Sequence, residues 1–142
     1  MNAYPMANAV PINLDKEKVV AMARRQFSGA LVNDTKWNEL ITLVRSFDDG
    51  KPSYRSKWVD GWVSRWDTEW FYHLPFPFVG VEWFDIALPE QAEQHLQAID
   101  YSALILSGLA QIGLEFEIQE GVVRIWGYAP KSYDDFPPQH IT

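Results

Sequence analysis

The fold is decided by the stretch LEFEIQEGVVRIWGY, residues 114–128, whose pattern is that of an antiparallel β-hairpin. In its first half, apolar side chains at 114, 116 and 118 alternate with polar side chains at 115, 117 and 119. This period of two predicts a half-buried strand with an acidic outer face. Glu120-Gly121 then predicts a turn, and residues 122–128 are expected to return as the partner strand.

The β character extends toward the N-terminus, over residues 54–88. Tryptophan, valine and phenylalanine crowd together there, and Asp60-Gly61, Asp67-Thr68 and the prolines at 75 and 77 are turn signals. We therefore expect antiparallel strands near residues 54–59, 62–66 and 69–74, and a fourth over residues 79–88.

Helices are predicted before these strands and between them and the hairpin. Apolar spacing indicates a first helix from Asp15 to about residue 27, and the cap-forming run Asn33-Asp34-Thr35 begins a second, which ends at residues 48–50. Pro89 predicts the start of a third helical stretch that bends near residues 100–102 and ends at Gly113.

These elements predict an α+β fold, in which an antiparallel sheet of about five to six strands packs against helices in a single pair of layers. A chain of 142 residues has the common size of one domain. We expect residues 1–142 to form a single domain, with an irregular arm at 1–13 and an acidic, proline-containing tail at 130–142.

The composition excludes several classes of function. The chain has no cysteine, which excludes disulfides and thiol catalysis, and no signal-peptide or membrane-spanning pattern, so a soluble, cytoplasmic protein of bacterial type is expected. The formal net charge is −7, and residues 91–142 carry seven acidic and two basic groups. Such a field repels nucleic acid and favours either simple solubility or a basic protein partner.

Seven tryptophans form the most unusual feature of the composition. Four of them, at 58, 62, 66 and 70, recur at every fourth position. One interpretation is a core built from large side chains with one or two tryptophans exposed; the other is an aromatic patch that anchors a partner or stacks on a sugar or base. The second interpretation predicts a partner-binding set of aromatic and acidic residues: Trp62, Trp66, Asp67, Glu69, Trp70, Tyr72, Glu115, Glu117 and Glu120.

Few residues of the sequence suggest catalysis or metal binding. Asp67 and Glu69 flank a predicted hairpin tip, and His73 could act as an acid or base if a carboxylate oriented it. We nonetheless predict no catalytic residue, metal or cofactor. His95 and His140 have no ligand partners at metal-binding spacing, and Glu82 and Asp85 should point to opposite faces of a strand unless a bulge intervenes.

Four strings together resemble a family of small bacterial domains of unknown function: NDTKWNEL (33–40), WDTEWFYH (66–73), VEWFDI (81–86) and RIWGY (124–128). The resemblance covers residues 33–128 and leaves out the first helix and the tail. Domains of this style are often encoded beside secreted toxins and act as immunity proteins. The leading hypothesis is therefore a non-catalytic protein that neutralises a basic toxin domain by occluding its active site. The alternatives are a sugar- or nucleotide-binding module with a tryptophan-rich face, and an enzyme that uses Asp67, Glu69 and His73.

Overall fold

The centre of the fold is a four-stranded antiparallel sheet, described here from a computed structural model that places residues 16–88 and 101–139. Its strands are β2 (Ser53–Trp58), β3 (Val81–Ala87), β4 (Phe116–Gln119) and β5 (Val122–Trp126), in the order β2-β3-β5-β4. The predicted hairpin is confirmed: β4 pairs with β5 through the turn at Glu120-Gly121, with Phe116 opposite Ile125. Ile118 is 45% exposed, because β4 is one of the two edge strands of the sheet.

A second, two-stranded sheet pairs a short segment near residue 30 with the segment that follows β5. It pairs β1 (Gly29–Ala30) with β6 (Tyr128–Ala129). The backbone bond from the Leu31 N–H to the Gly127 carbonyl extends this pairing. The α+β class is confirmed, whereas the main sheet has four strands, fewer than the five or six expected.

Helices α1 (Lys16–Gln26) and α2 (Asp34–Arg45) lie where the sequence predicts them. The Asn33 side chain caps α2 by accepting a hydrogen bond from the Lys36 N–H at 2.8 Å. Helix α3 (Ser102–Ile112) ends at Gly113, whose φ of +87° is the left-handed conformation of a C-terminal cap. The predicted helix start at Asp15 and the helical stretch predicted from Pro89 to residue 100 lie outside the described residues, as do His95 and His140.

The two middle strands expected at residues 62–66 and 69–74 are wrong. Residues 59–77 form one long connection, called here the β2–β3 loop, with isolated bridges from Tyr54 to Asp67 and from Lys57 to Val63. Its acidic side chains bind nearby backbone instead: Asp67 Oδ1 accepts from the Glu69 N–H, and Glu69 Oε1 accepts from the N–H groups of residues 71, 72 and 73. Such local bonds replace the ladder of a sheet.

The sheet has two different faces. Helices α2 and α3 pack on one face, where the main apolar core includes Phe84, Ile86 and Ile125. The opposite face carries charged and aromatic side chains, and the C-terminal residues 131–136 contact it. Residues 131–139 have no regular secondary structure, and residues 131–136 of this segment contact the sheet.

Candidate functional site

The β2–β3 loop is held in place by side chains that reach into the body of the protein. Trp70 is 1% exposed, and its indole Nε1 donates to the Pro52 carbonyl at 2.8 Å. The Tyr54 hydroxyl donates to the Glu69 carbonyl at 2.6 Å, and the Arg45 Nε donates to the Trp70 carbonyl. Burial, aided by the charges of Asp67 and Glu69, raises the pKa of Tyr54, so this phenol stays a donor. The loop is therefore fixed at its centre.

The same loop nevertheless exposes large apolar side chains. Trp62 is 39% exposed, Phe71 44% and Tyr72 54%. Trp66 is partly buried and stacks on the Arg55 guanidinium at 5.0 Å. Of the predicted aromatic anchors, Trp62 and Tyr72 are accessible, Trp66 only in part, and the assignment of Trp70 to the surface is wrong because that residue belongs to the core.

Most of the tryptophans serve the interior. The five at 37, 58, 70, 83 and 126 are each at most 2% exposed. The interpretation of a core built from large side chains therefore accounts for them, and a stacking platform made from the set would be limited to Trp62 and the accessible part of Trp66.

Two of the three proposed catalytic residues come together. His73 Nδ1 lies 2.7 Å from Asp67 Oδ2, and both side chains are partly exposed. The Glu69 carboxylate does not join them, because its Oε1 caps the backbone N–H groups of the following turn. An aspartate that fixes an imidazole is the geometry of an oriented base, but the three-residue site is not formed. In the described part of the chain, no group of three His, Asp or Glu could hold a metal ion.

The acidic face of the hairpin is partly engaged by the C-terminal segment. Glu115 pairs with Lys131 at 2.9 Å, and Glu117 Oε2 accepts from the Tyr133 hydroxyl at 2.7 Å. That hydrogen bond raises the pKa of Tyr133. Glu120, with φ of +51°, is exposed at the turn. The hairpin thus presents three acidic side chains, two of which bind side chains of the C-terminal segment.

Sequence reasoning missed a buried charged site, called here the charged cradle and made of Arg55, Lys57, Trp83, Asp85 and Arg124. Asp85 has no exposed surface and binds both arginines: its distances are 2.7 and 2.9 Å to Nε and Nη2 of Arg124 and 3.0 Å to Nε of Arg55. Burial raises the pKa of Asp85, and the two guanidinium groups oppose that rise. The Trp83 ring contacts both arginines: its centroid lies 3.5 Å from Cζ of Arg124 and 5.2 Å from Cζ of Arg55.

A β-bulge adds Glu82 to this face. Lys57 pairs with Trp83 whereas the next residue, Trp58, pairs with Val81, so Glu82 is the extra residue of β3. Glu82 Oε1 then lies 3.5 Å from Lys57 Nζ, and burial raises the Glu82 pKa. The expectation that Glu82 and Asp85 point to opposite faces is wrong for this reason: both bind cations of β2 that share one face.

Residues 132–136, called here the C-terminal strap, lie over the charged cradle. Arg55 donates through Nη1 to Asp135 Oδ2 and through Nη2 to the Asp135 carbonyl, both at 3.0 Å. Arg124 Nη1 donates to the Asp134 carbonyl at 2.7 Å. The Trp126 indole donates to the Ser132 carbonyl at 2.8 Å. The strap therefore completes the hydrogen bonding of two buried arginines.

This architecture is that of a small α+β domain with a four-stranded antiparallel sheet, one helical face and one charged face. The chain belongs to a family of unknown function, DUF6678, whose profile matches residues 19–132. The match begins inside α1, so the expectation that the first helix falls outside the family is wrong; it ends at the start of the strap. No curated protein and no solved structure matches the chain. Among residues 16–88 and 101–139, no helix has the length and apolar character needed to cross a membrane.

Proposed function

We propose that this domain is a non-catalytic protein-binding module of the immunity type, which neutralises a basic toxin domain in the bacterial cytoplasm by covering its active site. The observation that carries the proposal is the β2–β3 loop: it is anchored by the buried Trp70, yet it leaves Trp62, Phe71 and Tyr72 exposed. Long loops without regular structure are uncommon in compact domains unless they have a function. An ordered loop that exposes aromatic side chains has the character of a binding surface.

The proposed mechanism separates anchoring from steering. Trp62 and Tyr72 would supply the desolvated centre of the interface, because large aromatic side chains contribute most to such contacts. The net charge of −7, with Glu117 and Glu120 on the hairpin, would attract a basic partner and speed its association. Binding would therefore weaken as salt concentration rises.

The test uses the product of the gene immediately upstream, purified in an inactivated form. We expect the wild-type domain to bind it, and the variant Trp62→Ala/Tyr72→Ala to lose about tenfold or more in affinity. Leu104→Ala is the matched control, since Leu104 is 56% exposed on α3 and should leave affinity unchanged. The proposal fails if the neighbouring product does not bind, or if the double variant binds as tightly as the control.

The enzyme alternative has one observation in its favour, the 2.7 Å contact between His73 and Asp67. His73→Gln keeps a polar side chain at that position and removes the ionisable imidazole. If the domain acts by occlusion, a strain that carries His73→Gln should survive the toxin as well as the wild type. Loss of protection by a variant that still binds the toxin would favour catalysis instead.

A further inference from the structure

The C-terminal strap contacts the charged cradle in the way that a bound peptide contacts its binding site. Towards the cradle, the strap offers acceptors: three backbone carbonyls, the Asp135 carboxylate, and the Asp134 carboxylate, whose Oδ2 lies 3.3 Å from Lys57 Nζ. The sheet side supplies the donors, from Arg55, Lys57, Arg124 and the Trp126 indole. This one-way pattern is typical of a cationic site that binds an acidic peptide.

The aromatic side chains of the strap also contact the sheet face as those of a bound peptide would. The Phe136 ring closes the cradle from the strap side, 4.7 Å from the Arg124 guanidinium, and it packs edge-to-face on Trp126. Tyr133 also packs on Trp126, with ring centroids 5.2 Å apart. The strap thus places two consecutive carboxylates between two aromatic rings, and both kinds of group have partners on the sheet.

The strap leaves donors on this face unused. The indole nitrogens of Trp66 and Trp83 are buried and have no hydrogen-bond partner among the described residues. Both rings stack on Arg55. Buried donors of this kind are normally satisfied in proteins, so a peptide that displaced the strap would meet two donors that the strap does not use.

We propose that the charged cradle is a recognition site for an acidic peptide segment of a partner protein, with two adjacent carboxylates flanked by aromatic residues, and that the strap is its resident ligand in cis. All cradle residues lie within the family match, which ends at residue 132, before the two aspartates and Phe136 of the strap. This site goes beyond the proposed toxin-binding function, because it lies on the sheet face rather than on the β2–β3 loop and takes an acidic rather than a basic partner. A tethered ligand acts at an effective concentration of about millimolar, so the site is closed to weak competitors until the strap leaves.

The experiment weakens the strap in the 142-residue chain and supplies the strap sequence as a separate peptide. The variant is Asp134→Ala/Asp135→Ala/Phe136→Ala, and the probe is a fluorescently labelled peptide with residues 131–139, KSYDDFPPQ. We expect the variant to bind this peptide in a polarisation assay while the wild type does not. A control peptide with asparagine in place of both aspartates should bind roughly tenfold more weakly or worse. The proposal is overturned if the variant folds but does not bind the peptide, or if it binds both peptides equally.

A measurement on the wild type decides the matter even if the triple variant does not fold. Hydrogen exchange of the Trp126 indole N–H, which donates to Ser132, reports opening of the strap. A displaceable strap opens locally, so this proton should exchange faster than global unfolding allows, while the backbone amide of Ile125 in β5 exchanges only on global unfolding. Exchange of both protons at the rate of global unfolding would show that the strap is an inseparable part of the fold and would refute the inference.

Discussion

Replacing Asp85 by asparagine tests the charged cradle most directly. The substitution keeps the shape of the side chain but turns one of its two oxygens into an amide donor. That donor would then face either Arg124 or Arg55, whose nitrogens lie 2.7–3.0 Å from the carboxylate in the wild type. Two buried guanidinium groups would lose their shared counter-charge, and removing one partner of a buried ion pair costs about 3–5 kcal/mol.

The assay is urea unfolding at neutral pH, followed by tryptophan fluorescence. In thermal unfolding, a loss of about 3–5 kcal/mol in the free energy of unfolding corresponds to a fall in Tm of roughly 10–15 °C for a domain of this length. Asp135→Asn is the control: its side chain is half exposed and contacts Arg55 only at Nη1, so it should cost about 1 kcal/mol or less. If Asp85→Asn unfolds within 1 kcal/mol or so of the control, the cradle does not carry the electrostatic role assigned to it.

Three further predictions concern the fold. Gly127→Ala would place a Cβ 2.3 Å from the Val81 carbonyl oxygen, so it should lower the free energy of unfolding by about 3 kcal/mol in the same urea titration. A Cβ at Gly29 would meet no atom within 4 Å, so Gly29→Ala should stay within about 0.5 kcal/mol of wild type. Tyr54 has a raised pKa in the folded state, so the unfolded chain ionises first as the pH rises through the ordinary value of 10.0, and stability falls. Tyr54→Phe should lose about 1 kcal/mol of stability at neutral pH, and its stability should decline less steeply at alkaline pH. Asn33→Ala removes the cap of α2 and should lower stability by about 1 kcal/mol, seen as a lower midpoint with an unchanged m-value.

The parts of the fold that the sequence predicts well are those governed by local pattern. The alternation in residues 114–119 and the turn at Glu120-Gly121 specify a hairpin without reference to the rest of the chain. Helix α2 has both a capping side chain and an apolar stripe. The strands predicted within the β2–β3 loop do not form. The aromatic residues of this loop resemble strand residues, but Asp67 and Glu69 satisfy the backbone locally and stop a ladder from forming.

The charged cradle was missed because its members are far apart in the chain. Arg55 binds an aspartate 80 residues later, and no periodic pattern connects such positions. A signal did exist: Asp85 and Arg124 each interrupt an otherwise apolar run, in WFDIA and VVRIW, and an isolated charge in a buried strand requires a partner of opposite sign. What the sequence could not give is which carbonyls complete the arrangement, since those depend on how the C-terminal segment packs.

The strap also affects the stability of copies of the protein that are made or trimmed without it. Residues 132–136 emerge after every strand of the sheet they cover, so the arginines of β2 and β5 remain without these acceptors until the chain has been made past Phe136. A product shortened by an early stop codon, or trimmed by an exopeptidase, would leave Arg55 and Arg124 with water in place of the strap carbonyls and would lose the packing of Phe136 on Trp126. Degradative proteases could then distinguish copies without the strap from copies that carry it by their lower stability alone.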